Sequence, residues 1–393
     1  MNLRTVQSAE DLGTSTTTTG VTKARLTFTG TAGDEYWVLG CATVGAVGST
    51  HVILSWEDLL NGELFYMESL IPYQATDYYN WPLLGRITLP SGSPNFDVQM
   101  SGTVGGGGAP FFPTIDIRET RIIAIKTHPM DFAADDFLSG GSTSSTSYAT
   151  IVSHTFDVPR AGDYLIVCTC KTQKLVTSSS YNVRLLIDGV AYGTSTMRSI
   201  TTTALMGLPY QMVRKVTLAA GSHTIEVQAR TITSGNVGLT QVGLLGLRCD
   251  TFARTHYHES LTESSTTSST YATKVSVNVT PQAKPHIVIA QAYVRRQTDP
   301  IRHQTLDGAT VVQAGQYESP AGVGGAAAQC TLSALEYVTP GSRAWRTWAT
   351  QYATDGVGAS TGFITEAAIC ALQVSDDTTL RLYGGQYDGG IYG

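Results

Sequence analysis

The sequence predicts an all-β protein built of three tandem antiparallel β-sandwich domains of the jelly-roll kind. Three observations support this: low charge, short apolar runs bounded by turn residues, and landmarks that recur about every 120 residues. Only 14% of the 393 residues are charged, against about 25% in an ordinary soluble protein. The frequent Thr, Val, Ile and Tyr residues suit a half-buried pleated surface, and no segment keeps a helical period with caps at both ends.

Three copies of one unit can be followed along the chain because their landmarks keep the same order. The Ser/Thr-rich run 138–150 recurs at 261–273, a shift of 123 residues, and a weaker version occupies 12–22. A hairpin signal follows in each copy, since Asn-Gly and Asp-Gly supply the positive φ angles of tight turns. These dipeptides are Asn61-Gly62, Asp188-Gly189 and Asp307-Gly308.

The landmarks place the units at 1–127, 128–250 and 251–375, followed by a tail rich in Gly and Tyr at 376–393. Each unit holds several short β-patterned runs separated by Gly, Pro, Asn or Ser, as expected of a sandwich with Greek-key or jelly-roll wiring. Three units in one chain are compatible with a rod and with a pseudo-threefold cluster. The sequence leaves both arrangements open.

Charge and targeting signals narrow the class of protein. The net charge of −6 argues against broad nucleic-acid binding, which depends on Lys and Arg. No secretory leader and no apolar stretch of about 18 residues is found, so we expect a protein made in a cytoplasm without a membrane segment. The six cysteines lack a Cys-x-x-Cys pair and are predicted to be reduced core thiols.

No motif predicts catalysis, so we expect a protein that is not an enzyme and carries no cofactor. The glycine-rich stretch 102–110 lacks the Gly-Lys-Ser/Thr of a phosphate loop, and we find no serine in a Gly-x-Ser-x-Gly motif directly after a predicted buried strand. His256 and His258 share one face of a predicted strand, but no third metal ligand can be named beside them. We therefore predict no catalytic and no metal site.

Two groups of residues are candidates for assembly contacts. Arg295 and Arg296 are predicted to form ion pairs between subunits, or to bind an anionic surface. In the tail, Tyr383, Tyr387 and Tyr392 are separated by glycines, which describes a flexible arm whose amphipathic rings dock on a neighbour. A frayed terminus is the alternative for the tail.

Three tryptophans support a different function, a carbohydrate-binding module array that recognises a host-surface glycan. Trp81, Trp345 and Trp348 are candidates for stacking on sugar rings. Trp345 and Trp348 are three residues apart, so within a strand they would face opposite sides and only one could line a groove.

The chain resembles accessory virion proteins of tailed bacteriophages, which form fibres, spikes or capsid decorations from jelly-roll modules. The resemblance rests on the Ser/Thr-rich leaders, the Asp-Gly hairpins, Ala161-Gly162-Asp163-Tyr164, and the turn from Leu218 to His223. More loosely, single units are similar to trimeric sandwich modules of the C1q/TNF kind.

The resemblance implies a structural virion protein that acts through contacts between subunits. Its partners would be other virion proteins and further copies of itself, with a trimer of chains as the first expectation. Large interfaces of this kind sum many weak contacts over uncharged β surface. No motif of functional residues comes with the resemblance, so it assigns no catalytic role to any residue.

Overall fold

The computed structural model of the protein consists of antiparallel β-strands, and a 3-10 turn at Cys249–Thr251 is the only helical element among the residues it describes. The prediction of an all-β protein with tandem jelly-roll-like sandwiches is confirmed. The structure describes residues 6–11, 15–17, 21–47, 50–58, 62–71, 78–89, 95–104, 114–138, 140–174, 180–198, 207–232, 235–279, 286–296, 301–317, 329–338, 346–354 and 361–374.

Unit 1 contains nine strands. They are β1 (Val6–Asp11), β2 (Ser15–Thr17), β3 (Val21–Thr29), β4 (Glu35–Val47), β5 (Thr50–Asp58), β6 (Gly62–Ile71), β7 (Tyr78–Thr88), β8 (Asn95–Val104) and β9 (Thr114–Lys126). Units 2 and 3 repeat this set. Unit 2 has β10 (Phe132–Leu138), β11 (Gly141–Thr143), β12 (Ala149–Val158), β13 (Gly162–Lys174), β14 (Ser180–Ile187), β15 (Val190–Arg198), β16 (Gly207–Leu218), β17 (Gly221–Thr231) and β18 (Val237–Arg248).

Unit 3 has β19 (Arg254–Ser260), β20 (Ser264–Thr266), β21 (Ala272–Val279), β22 (His286–Arg296), β23 (Ile301–Asp307), β24 (Thr310–Tyr317), β25 (Gln329–Val338), β26 (Arg346–Thr354) and β27 (Gly362–Gln373). The chain passes from unit 1 to unit 2 over residues 127–131, and from unit 2 to unit 3 over residues 249–253.

The three units share one wiring. We call one sheet of each unit the inner sheet; its orders are β1-β9-β4-β7, β10-β18-β13-β16 and β19-β27-β22-β25, with β2, β11 and β20 beside β9, β18 and β27. The outer sheets are β3-β8-β5-β6, β12-β17-β14-β15 and β21-β26-β23-β24. The last of them is continuous with the inner sheet of unit 1, because β24 pairs with β7. Within each unit the chain therefore crosses repeatedly between two facing sheets, as in a jelly roll.

The central strand of each inner sheet is apolar on both faces. In β13, Tyr164 and Ile166 point into the sandwich of unit 2, whereas Leu165 and Val167 point to the opposite side and belong to a second buried cluster. Alternate side chains of a strand face opposite ways, so a run that is apolar throughout needs cover on both sides. Each inner sheet is therefore buried on both of its faces.

The Ser/Thr-rich leaders fold into matching turns. Ser145 receives a backbone N–H bond from Thr231, and Ser268 receives the same bond from Thr354, at 2.8 and 3.0 Å between N and O. Within each leader, hydroxyl oxygens accept from the backbone N–H two residues ahead, as Thr143 does from that of Ser145. These local bonds are the ones that Ser and Thr make in turns. The repeated run thus tethers the end of an outer-sheet strand.

The hairpins between β14 and β15 and between β23 and β24 differ in the position of their Asp-Gly dipeptide, which is shifted by one residue relative to the tip of the turn. Asp188 and Gly189 both have positive φ, at 51° and 78°, as a type I′ turn requires. In unit 3, Asp307 pairs with Thr310, which puts Gly308 (φ 61°) and the following alanine at the tip. The predicted hairpin is present, but its tip is shifted by one residue, so Asp307 flanks the tip and Gly308 supplies the positive φ.

Candidate functional site

The inner sheets of the three units meet in one buried cluster, which we call the central cluster. Each unit contributes side chains from corresponding strands, and all of them are at least nine-tenths buried. They are Trp37, Leu39, Cys41, Leu84, Ile123 and Ile125 from unit 1, Leu165, Val167, Val213, Leu245, Leu247, Cys249 and Phe252 from unit 2 and its following turn, and Ile287, Ile289, Cys370, Leu372 and Val374 from unit 3. Burial of this apolar surface holds the units together.

The contacts between units follow the same order around the central cluster: an edge strand of each unit packs on the next unit. The edge strand β7 of unit 1 packs against β10, β13 and β18 of unit 2, β16 packs against β22, β25 and β27 of unit 3, and β25 packs against β4, β7 and β9 of unit 1. At the first junction, a Cβ added to Gly243 would lie 3.3 Å from Cδ2 of Leu84. The three units therefore form a closed ring with pseudo-threefold order.

The edge of β16 is covered by side chains of unit 3. The backbone N–H of Val213 donates to Oε1 of Gln291, and the hydroxyl of Tyr293 donates to the carbonyl of Gln211 at 3.0 Å. An uncovered strand edge presents unpaired N–H and C=O groups to any other chain. Here those groups are bonded inside the ring.

A buried charge lies next to this edge. Arg214 is 2% exposed, and its Nη2 lies 2.5 Å from Oε2 of Glu366, while its Nε lies 3.8 Å from Oε2 of Glu259. Tyr257 donates its hydroxyl proton to Glu259 at 2.6 Å. We call Arg214, Glu259, Gln291, Tyr293 and Glu366 the Arg214 cluster.

The electrostatics of the Arg214 cluster keep its arginine charged. Burial is the largest effect and disfavours the charged guanidinium, but Glu366 and the neighbouring tyrosine hydroxyls together outweigh it, and the pKa of Arg214 is raised. The pKa of Tyr257 is also raised, first by burial and then by its hydrogen bond to Glu259. Removal of one partner of such a buried ion pair strongly destabilises the folded protein, because the other partner is left charged and unpaired.

Sequence reasoning missed this cluster, although a signal for it exists. Along β16, Tyr210, Met212 and Val216 face the sandwich core of unit 2, and Arg214 stands in the same alternating register. A charged residue in an apolar register indicates a buried ion pair or an error in the strand assignment. The partner, 152 residues further along the chain, could not be named from the sequence.

Of the residues predicted as assembly contacts, the described part of the chain contains the backbone of Arg295 and Arg296. Arg295 and Arg296 end β22, where Arg295 pairs with Gln329 and Phe363 through the backbone; their side chains lie outside the described residues. Tyr383, Tyr387 and Tyr392 also lie outside the described part of the chain. The prediction that these residues make assembly contacts stays a prediction.

The tryptophans proposed for glycan stacking lie on different units. Trp81 is in β7, paired with Ala42, and Trp348 is in β26, paired with Val277. β24 and β23 lie between these two strands in the sheet order. Trp345 and the side chains of Trp81 and Trp348 lie outside the described residues, so their stacking role stays a prediction.

The outer wall of unit 3 carries a ladder of neutral side chains beside one guanidinium, that of Arg302, which lies over the Tyr271 ring. Gln304 donates to Gln351 at 2.9 Å, Gln351 donates to Thr273 at 3.0 Å, and Thr347 donates to Asn278 at 2.7 Å. These pairs link neighbouring strands across the exposed face. Their polar groups already bond one another, so covering this wall with protein would leave few donors or acceptors unpaired.

The corresponding wall of unit 2 carries charge. Arg184 donates to Gln228 from Nε and Nη2, at 2.9 and 2.7 Å, and Thr150 donates to Glu226 at 2.9 Å. The Arg184 guanidinium also lies over the Tyr148 ring, 3.8 Å from its centroid, a cation–π contact. The walls of units 2 and 3 therefore share their geometry, and unit 2 carries more charged side chains, Arg184 and Glu226 against Arg302 in unit 3.

The two histidines of β19, His256 and His258, are constrained by neighbouring parts of the structure. Nδ1 of His258 lies 2.9 Å from the carbonyl of Ser276, and burial lowers the pKa of His256, with Arg254 adding to the effect. Among the residues that the structure describes, no three His, Cys, Asp or Glu side chains are placed to hold a metal ion, and no helix has the length and hydropathy of a membrane span.

No family model matches the chain, and no curated protein matches it in sequence. Solved structures with a related arrangement of strands include a triple jelly-roll protein from the turret of an archaeal virus, with 10% identity over 90% of this chain and 82% of that chain and a TM-score of 0.20. A tandem of two CBM22 domains from Paenibacillus barcinonensis matches with 13% identity over 60% of this chain and 94% of that one, with a TM-score of 0.16.

PNGF-II also matches, with 11% identity, 58% of this chain covered and a TM-score of 0.28; the chain spans 60% of its length. These neighbours include a viral jelly-roll protein and carbohydrate-binding modules, and they assign no activity to the present chain.

Proposed function

We propose that the protein is a non-enzymatic structural component of a virion, of the tailed-phage accessory type that its sequence resembles. It acts through contacts with other virion proteins, made by its outer walls. The observation that carries this proposal is the neutral ladder of unit 3, formed by Gln304, Gln351 and Thr273. Its polar groups are paired before any partner arrives, so a second subunit can cover them at little desolvation cost.

A charge placed on this ladder tests the proposal. Thr273 is exposed, and Thr273→Glu would put a carboxylate on the wall without touching the core. We expect the melting temperature to stay within a few degrees of that of the wild type. A tagged variant should lose most of its incorporation into purified particles. Ala220→Glu, in the exposed turn between β16 and β17, is the matched control and should be incorporated normally. Equal incorporation of both variants would remove the wall from the proposal.

The alternative function, glycan recognition, is tested on the free protein. Purified protein on a glycan array should show no saturable binding if its role is architectural. Sugar-specific binding that is lost in Trp81→Ala or Trp348→Ala would favour the carbohydrate-binding array over the structural role.

The tail is proposed as an assembly arm. Deletion of residues 376–393, which include Tyr383, Tyr387 and Tyr392, should reduce particle assembly or stability while the three sandwiches stay folded. Particles of unchanged yield and stability would eliminate the arm. The trimer of chains expected from the sequence stays a prediction. The ring described above is formed by the three units of a single chain.

A further inference from the structure

The ring closes within a single chain. The edges β7, β16 and β25 each pack on the inner sheet of another unit, and the last of these contacts returns to unit 1. The return junction also includes backbone pairing between Gln316 of β24 and Tyr78 of β7. In a symmetric trimer of sandwiches, three separate chains would provide these three junctions. Here each inner sheet already has its neighbour.

The connections between units suit a ring closed in cis. In each unit the first inner strand begins where the last one ends, as the pairs Val6↔Ile125 and Arg254↔Gln373 show. The connecting segments 127–131 and 249–253 are five residues long, and a chain of that length spans at most about 18 Å. Consecutive units are therefore held side by side.

The Arg214 cluster makes the second junction different from the others. By strand register, Arg214 corresponds to Gly85 in unit 1 and Glu336 in unit 3, because the preceding residues Leu84, Val213 and Leu335 pair with equivalent positions of β4, β13 and β22. Of the three equivalent edge-strand positions, one is thus occupied by an arginine.

The combination of groups that receives Arg214 is particular to unit 3, although unit 1 also has a carboxylate, Glu119, at the position of Glu366. Unit 2 has Gln241 at the position of Glu366, and unit 1 has Cys41 at the position of Gln291. Only unit 3 combines the carboxylate for Arg214 with the amide oxygen for the Val213 N–H. Against either other unit, β16 would lose a counter-ion or a hydrogen-bond acceptor, and a buried polar group left without its partner destabilises the junction.

We infer that the protein is a monomeric pseudo-trimer, in which one chain takes the place of three subunits and the Arg214 cluster specifies unit 3 as the neighbour of unit 2. A closed single chain is the alternative to the trimer of chains expected from the sequence. A buried ion pair contributes little to stability relative to apolar side chains of the same size, and its best-attested role is to specify which partner is bound.

The mass of the full-length protein in solution is the first test. Light scattering after size-exclusion chromatography should give 41.9 kDa across the micromolar range. A species of three times that mass would overturn the inference.

Variants of the Arg214 cluster form the second test. Arg214→Glu places a third carboxylate beside Glu366 and Glu259, and we expect it to open the junction, giving dimers and larger species by exchange of units between chains. The double variant Arg214→Glu/Glu366→Arg should recover most of the monomer. Lys215→Glu is the matched control: Lys215 is 37% exposed and pairs with Asp163, so this variant should stay monomeric.

The pair Arg214→Met/Glu366→Met covers the case in which Arg214→Glu does not fold. Apolar replacements of both partners should keep the melting temperature within a few degrees or raise it, while the monomeric fraction falls at least several-fold. A Met/Met variant that is folded and fully monomeric would show that the cluster does not specify the neighbour.

Discussion

Units 2 and 3 have the same strand connectivity, but the equivalent strands β14 and β23 present different kinds of side chain to the sandwich core. In unit 2, β14 buries Tyr181, Val183, Leu185 and Ile187; in unit 3, β23 buries Ile301, His303, Thr305 and Asp307. The register proves the equivalence, since Leu185 pairs with Val227 where Thr305 pairs with Thr350. One fold thus tolerates an apolar and a polar lining of the same layer.

The difference predicts opposite responses to acid. Burial lowers the pKa of His303 to about 3, whereas the pKa of His223 in unit 2 is raised, chiefly by its hydrogen bond to Asp188. A histidine with a lowered pKa costs stability as the pH falls below the unfolded value of about 6.5. One with a raised pKa adds stability below that value and loses it as the pH rises through the folded pKa.

The largest effect is expected from giving unit 2 the residue of unit 3. Val183→His would bury an imidazole among apolar side chains that offer no hydrogen-bond partner. We expect a loss of about 3–4 kcal/mol in the opening free energy of unit 2. Native-state hydrogen exchange of β14 and β17 amides would measure it, with the amides of β23 and β26 as the internal reference. A loss shared equally by both units would mean that the sandwiches do not open separately.

The next effect is the loss of stability of unit 3 in acid. Between pH 7 and pH 5 the unfolded chain takes up a proton at His303 that the folded chain refuses, which lowers the opening free energy by about 2 kcal/mol. Hydrogen exchange of β23 amides, corrected for the pH dependence of the intrinsic rate, would show it. His303→Val should flatten this dependence; a slope that persists in the variant would place its origin in another group.

The smallest effect concerns His223 of unit 2. Its Nδ1 lies 2.6 Å from Oδ2 of Asp188, which is 47% exposed, so the pair contributes no more than about 1 kcal/mol. A titration of the His223 ring by NMR should give a pKa above 6.5. Asp188→Asn keeps an oxygen for the N–H of Thr224, which now bonds Oδ1 at 2.9 Å, and should return the pKa towards 6.5. A wild-type pKa below 6.5 would contradict the sign argued above.

The cysteines and the hairpin glycines were within reach of the sequence. Cys168 and Cys170 are buried and free, as their spacing along one strand predicts, because side chains two apart share a face. The turn at Asp188-Gly189 follows from local φ requirements in the same way. These features depend on a few neighbouring residues, so a local pattern is sufficient to predict them.

The candidate site was out of reach for the opposite reason. Arg214 meets Glu366 and Gln291 through contacts between units, and no spacing in the sequence relates them. The predicted assembly residues Arg295 and Arg296 were chosen for adjacent charge, which is a local property. A buried pair between distant strands becomes visible only when the units are packed.

The sequence by itself determined the β class, the threefold repetition and the alternation that sends Tyr164 and Ile166 one way and Leu165 and Val167 the other. Strand period and turn chemistry are properties of short segments, so they can be read in one dimension. Only the tertiary structure decided between a rod and a ring. The second apolar face of each inner sheet shows that cover is required, but the identity of the covering surface depends on shape and register between units.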